Sequence, residues 1–117
     1  MSPEEMKKRT KQFALRIITM RKALPKTDEA KILGNQVLRS GTSVAANYRA
    51  VCRARSKAEF ISKMGVVVEE ADETVLWLKL IVDSGIVKSD KMNSLLTEAN
   101  ELLAIFAQSQ ITAKKNR

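Results

Sequence analysis

The sequence predicts an all-α protein: an antiparallel up-down-up-down four-helix bundle forming one domain over residues 1–117. Three observations carry this prediction. Apolar residues recur at alternating steps of three and four through four separate segments, the period of a helix that buries one face. The chain's two prolines, Pro3 and Pro25, stand only where a helix begins or has just ended. The segments are joined by connections of a few residues, which forces consecutive helices to lie antiparallel. A composition with only 4 % aromatics, dominated by Ala, Leu, Val, Ile, Lys and Glu, also favours helix over sheet.

The first helix is expected over 3–24. Ser2 and Glu5 form a capping box, Pro3 suits the first helical position, and Pro25 stops the helix. Met6, Phe13, Ile17, Met20 and Leu24 make its core seam, with Ala14 and Ile18 widening it. The second helix, 28–52, opens at Thr27 or Asp28 with acidic residues at the positive end of its dipole. Its seam, Leu33, Val37, Ser40, Val44, Asn47 and Val51, passes through two polar residues. Gly41 costs about 1 kcal/mol relative to Ala in mid-helix, yet the periodicity continues in phase across it, so one helix is predicted rather than two.

The third helix, 56–84, begins with a second capping box, Ser56 with Glu59, and ends at Gly85. Phe60, Met64, Val67, Ala71, Thr74, Leu78 and Ile81 form its core face. A second apolar stripe, Val66, Leu76, Trp77 and Leu80, points away from that face and interleaves with Glu69, Glu70 and Glu73. A monomer's surface helix is polar there, so this stripe predicts an oligomer interface in which Glu70 and Glu73 pair with cations of another subunit. The fourth helix, 90–112, is capped by Ser89 or Asp90. It buries Met92, Leu95, Leu96, Ala99, Leu102, Leu103, Phe106 and Ala107, and a basic tail, 114–117, is expected to fray.

Several kinds of chemistry are excluded. The chain has no histidine, which removes the usual general base, His-containing triads and His metal ligands. Its single cysteine, Cys52, allows neither an internal disulfide nor a multi-cysteine metal site. No phosphate-binding glycine loop occurs, and no cofactor is expected. The carboxylates Glu69, Glu70, Asp72 and Glu73 are the one group that could hold Mg²⁺, but no partner cluster accompanies them, so the chain reads as non-enzymatic. No apolar run reaches the length of a membrane span, and the acidic start, Met1-Ser-Pro-Glu-Glu5, is unlike a signal peptide. The expectation is a cytoplasmic protein that uses no membrane.

Charge is the positive signal. The net charge is +8, and it is divided unevenly: residues 1–63 carry +10 and the remainder −2. Such asymmetry suits a nucleic acid, RNA or DNA, or an acidic protein surface. Arg39, Arg49, Arg53, Arg55 and Lys57 gather in and after the second helix, with Lys7, Lys8 and Lys11 on the first. They are the candidate phosphate contacts. Asn47, set on the core seam, is expected to push its neighbours Tyr48 and Arg49 toward the surface. With Tyr48 the one aromatic nearby, base stacking is a poor fit and recognition of a duplex or folded RNA a better one.

The segment Leu38-Arg-Ser-Gly-Thr-Ser-Val-Ala-Ala-Asn47, followed by Lys57-Ala-Glu-Phe-Ile61, resembles a known family. This is the four-helix-bundle family encoded in intervening sequences of bacterial 23S ribosomal RNA genes, also labelled S23 ribosomal proteins. Glu70-Ala-Asp-Glu-Thr-Val-Leu-Trp-Leu78 is similar to the third-helix signature of one branch. Within the match, Ser40, Gly41, Ser43 and Asn47 are the structural signature, small residues that let helices approach and an Asn that fixes register. The resemblance implies a bundle that assembles into a ring, typically a homopentamer. It also implies kinship with the accessory variability protein of diversity-generating retroelements, a basic pentameric barrel that contacts nucleic acid and a reverse transcriptase. One departure stands out: Asn47-Tyr-Arg-Ala-Val-Cys52 replaces the Asn-x-x-Glu-Gly ending of many relatives, making this turn more basic.

Overall fold

The computed structural model describes residues 1–116. Four α-helices follow one another: α1 (Pro3–Ala23), α2 (Asp28–Val51), α3 (Lys57–Asp83) and α4 (Ser89–Lys115). Each packs antiparallel on the next, giving the up-down-up-down bundle, which measures 47 × 22 × 20 Å.

Local chemistry sets most of the boundaries. Ser2 Oγ accepts the Glu5 amide at 3.1 Å while Glu5 reaches back to the Ser2 amide, completing the capping box. Thr27 and Ser56 cap α2 and α3 in the same manner, accepting the amides of Ala30 and Glu59. After α3, Gly85 adopts φ +80°, the left-handed conformation an L side chain resists. The Gly85 amide donates to Val82 O and the Ile86 amide to Ile81 O, the paired bonds of a Schellman ending.

The start of α4 departs from expectation. Neither Ser89 nor Asp90 caps it; Lys88 occupies that position with no side-chain bond, and Ser89 is already helical. Its other end runs to Lys115, past the predicted 112, because Ala113, Lys114 and Lys115 are helix formers with no stop signal before them. Arg117, the last residue of the predicted tail, lies outside the described residues.

Residues on the predicted seams fill the core. Phe13, Ile17, Val37, Val44, Val67, Leu78, Ile81, Met92, Leu102 and Phe106 are all buried. Gly41 does not interrupt α2. A Cβ there would lie 2.9 Å from Ile17 Cγ1, so the glycine lets α1 and α2 pack closely. Ser40 is fully buried against Thr74 of α3, the two hydroxyls sharing a 2.9 Å hydrogen bond. Asn47 turns back on its own helix, donating to Ser43 Oγ at 2.7 Å and Ser43 O at 2.9 Å.

The bundle is not closed equally on all sides. α2 packs along α1 and α3, and α3 along α4, but α1 and α4 barely touch. Polar side chains bridge this fourth seam: Arg9 to Glu98 and Glu101, and Arg16 to Ser94. Toward the Leu24 end the two helices enclose a groove of about 750 Å³.

Candidate nucleic-acid interface

An even number of antiparallel helices brings the start of α1, the end of α2, the start of α3 and the end of α4 to one end of the bundle. Side chains confirm the alignment. The Tyr48 ring of α2 lies 5.6 Å from that of Phe106 in α4, and Gln110 Nε2 donates to Ile61 O of α3 at 3.1 Å. This pole therefore collects cations far apart in sequence. Lys7, Lys8 and Lys11 arrive on α1, Arg49, Arg53, Arg55 and Lys57 at the α2–α3 turn, Lys63 on α3, and Lys114 and Lys115 on α4. Glu4, Glu5 and Glu59 lie at the same end, and Glu98 and Glu101 of α4 are level with Arg9, between Lys8 and Lys11.

Arg49, Arg53, Arg55 and Lys57 are all exposed. After Val51 the chain leaves the helix through tight turns, with the Arg53 amide donating to Ala50 O and the Ala54 amide to Val51 O. The arginines consequently project around a shallow depression of about 490 Å³, lined by Ala46, Arg49, Ala50, Arg53, Arg55, Glu59 and Lys63. Small alanines form its inner wall. Lys63, absent from the sequence-based set, pairs with Glu59 at 3.4 Å, one helical turn away. Its spacing from Glu59 is a legible signal; its place beside Arg53 and Arg55 requires the turn.

Other predicted contacts differ in availability. Lys8 and Lys11 are exposed and, among the described residues, have no carboxylate within 4.0 Å. Lys7 is half-buried and paired with Glu4 at 3.2 Å. Arg39 stands apart from the basic pole. It forks between Glu70 and Glu73 of α3 at 3.2 and 2.7 Å, because α2 and α3 are neighbours and place these residues beside the Ser40–Thr74 contact. The two carboxylates expected to meet another subunit's cation thus meet one in their own chain. Arg9 is likewise held, by Glu98 at 2.6 Å and Glu101 at 3.2 Å. Hydrogen bonds from Arg9 hold the Glu98 carboxyl below its ordinary range.

Tyr48 does not reach the surface as the seam position of Asn47 predicts; it is buried. Asn47 bonds within α2 and leaves the adjacent position free to face α4. Burial, followed by interaction with the Cys52 thiol, pushes the Tyr48 phenol up to about 12. Tyr48 is therefore not offered for stacking at the basic pole, and the chemistry gathered there is that of cations on phosphate.

The outer stripe of α3 keeps Val66, Leu76 and Leu80 exposed, at 40, 48 and 38 %. Trp77 differs from its neighbours: it lies half-buried against the core, and its indole Nε1 is shielded without an acceptor. No group of three or more acidic or cysteine side chains converges as a metal site among the described residues. No helix of the described residues is long and apolar enough to cross a membrane.

Comparison with known proteins agrees with this architecture. A crystal structure of a protein of unknown function from the S23 ribosomal protein family of Bacteroides thetaiotaomicron VPI-5482 superposes with a TM-score of 0.82. The match is 31 % identical, covering 89 % of this chain and 96 % of the other. Among curated proteins, none matches. The model of the 23S rRNA-intervening sequence protein family matches residues 4–108, nearly the whole bundle, and the chain belongs to that family.

Proposed function

We propose that this protein is a non-enzymatic, self-associating bundle that binds nucleic acid, structured RNA in the first place, through its basic pole. The observation that carries the proposal is the convergence of Arg49, Arg53, Arg55 and Lys63 around one depression, joined by cations from α1 and α4. Four cations at the α2–α3 turn exceed what the α2 dipole requires; the carboxylates that hold Arg39 are elsewhere, and Glu98 and Glu101 are engaged by Arg9. Cations set around a shallow depression suit the phosphates of a duplex or a folded RNA more than splayed bases. Membership of a family named for 23S rRNA intervening sequences is consistent with an RNA ligand.

Self-association is supported by the exposed Val66, Leu76 and Leu80, too apolar for a surface that meets only water. A ring would present the basic pole of every copy together, multiplying affinity through linked binding.

Titration of a structured RNA across a range of salt tests the proposal. Binding should weaken linearly in log–log form as salt rises, with the slope counting displaced counterions. No binding at low salt, or a flat dependence, overturns it. Affinity capture after nuclease treatment then separates this ligand from an acidic protein such as a reverse transcriptase, since only a protein partner would survive the nuclease.

A further inference from the structure

Two apolar surfaces have no partner within the chain: the groove between α1 and α4, and the outer stripe of α3. We propose that they are the two halves of one head-to-tail contact, the α3 stripe of one copy seating in the α1–α4 groove of the next. This rests on the self-association proposed above and names the surfaces that make it.

The groove floor is apolar, with Leu15, Met20, Leu24, Ile86 and Leu95 along it, and Leu15 is 46 % exposed. Every charged residue lining it is a cation, Arg16, Lys88 and Lys91, and no carboxylate is among its described lining residues. Its occupant must therefore be apolar along one line and acidic beside it. The α3 stripe has that composition. Val66, Glu69, Glu73, Leu76, Leu80 and Asp83 follow each other at steps of three and four along its outward face. Arg39 already holds Glu73, Lys79 is a cation at the edge, and Glu69 and Asp83 are the acids left to meet the groove.

Dimensions agree as well. Glu69 to Leu80 spans about 17 Å of helix and Gln12 to Leu24 about 18 Å at ~1.5 Å per residue. Pairing either surface with itself is disfavoured, because α3 on α3 sets acids against acids and groove on groove sets cations against cations. The two surfaces lie on different sides of the bundle, so one copy can use both at once. A contact of this kind is heterologous and generates a ring when its rotation closes.

Leu15→Asp in the groove and Leu76→Asp in the stripe both alter exposed positions, and an unchanged helical circular dichroism signal verifies that each variant is folded. In analytical ultracentrifugation at high protein concentration, each variant alone should sediment as a monomer. An equimolar mixture should form a dimer and stop there, because only the Leu15→Asp stripe and the Leu76→Asp groove remain intact. A wild type that assembles and is unaffected by Leu15→Asp, or a mixture that stays monomeric, overturns the pairing while self-association stands. A monomeric wild type overturns both.

Discussion

Thr74 Oγ1 lies 2.9 Å from Ser40 Oγ in the middle of the α2–α3 seam, both residues fully buried, and the same Thr74 oxygen is 2.7 Å from Glu70 O. Two short polar side chains thus replace the bulky pair that would otherwise hold these helices apart, and each satisfies the other. Ser40→Ala keeps the close approach and removes one buried hydrogen bond, so it should cost about 1 kcal/mol. Ser40→Leu should cost more, up to about 3 kcal/mol, because it overpacks the seam. Urea unfolding of the two variants measures both.

Glycines in the bundle should respond to alanine in opposite ways. At Gly41 the new methyl would meet Ile17 Cγ1 at 2.9 Å and Cγ2 at 3.1 Å, atoms of a buried β-branched side chain with little room to move. The helix-propensity gain of about 1 kcal/mol is then outweighed, and Gly41→Ala should destabilise by about 1–2 kcal/mol net. At Gly65 the obstacle is Gln110 Nε2 at 2.9 Å, the far end of a flexible chain. Gly65→Ala should gain no more than about 0.5 kcal/mol, because the propensity gain of about 1 kcal/mol is partly offset when Gln110 swings away from Ile61 O, an exchange that solvent softens. Thermal melts of the pair distinguish the signs.

Acid should attack the fourth seam first. Glu98 is held below its ordinary range chiefly by Arg9, so its contribution to stability is complete above the unfolded carboxylate pKa of 4.5 and fades as pH falls through the lower folded value. Glu98→Gln should remove about 1 kcal/mol at neutral pH, the scale of a partly buried charge-assisted pair. It should also flatten the decline in stability below pH 4.5. Melting temperature against pH for the two proteins gives the comparison.

Tyr48 is the chain's only tyrosine, which makes its ionisation directly visible by ultraviolet absorbance. Tyrosinate should form near pH 12 in the folded protein, against 10.0 for a free phenol. Because the folded value is raised, the neutral phenol stabilises the fold below pH 10.0, and this contribution falls progressively as pH rises toward 12. A midpoint near 10 with the helical signal intact would contradict the buried Tyr48.

The arginines at the pole and the arginine of the seam should behave differently. Arg53→Gln or Arg55→Gln should weaken RNA binding and reduce the salt slope by about 0.7–0.9 for each phosphate that is no longer neutralised. Arg39→Gln should leave affinity and slope near wild type and lower stability instead, because its guanidinium serves Glu70 and Glu73. Fluorescence anisotropy in two salt concentrations is sufficient.

These contrasts trace what can be read from the residues and what needs the third dimension. Helix seams and caps follow from local spacing, and so Phe13, Ile17, Leu78 and Phe106 are legible as core. Thr10 is not. A threonine interrupts the apolar series between Met6 and Phe13, yet it is buried because its hydroxyl bonds to Met6 O at 3.0 Å. The arginines after Tyr48 are legible as a cluster, whereas the fates of Arg9 and Arg39 depend on carboxylates 89 and 31 residues away. The α1–α4 groove is hidden for a related reason: a gap belongs to two helices together, and neither sequence carries it alone.

The antiparallel arrangement also governs where this protein can be handled. Residues 3 and 115 finish at the same pole as the arginine turn. An affinity tag on either end would hang beside the surface proposed to grip phosphate, where a polyhistidine tail could add its own attraction and an acidic epitope could mask the site. The Gly85 turn stands at the opposite pole, one bundle length away, and a label placed there would leave the binding face unencumbered.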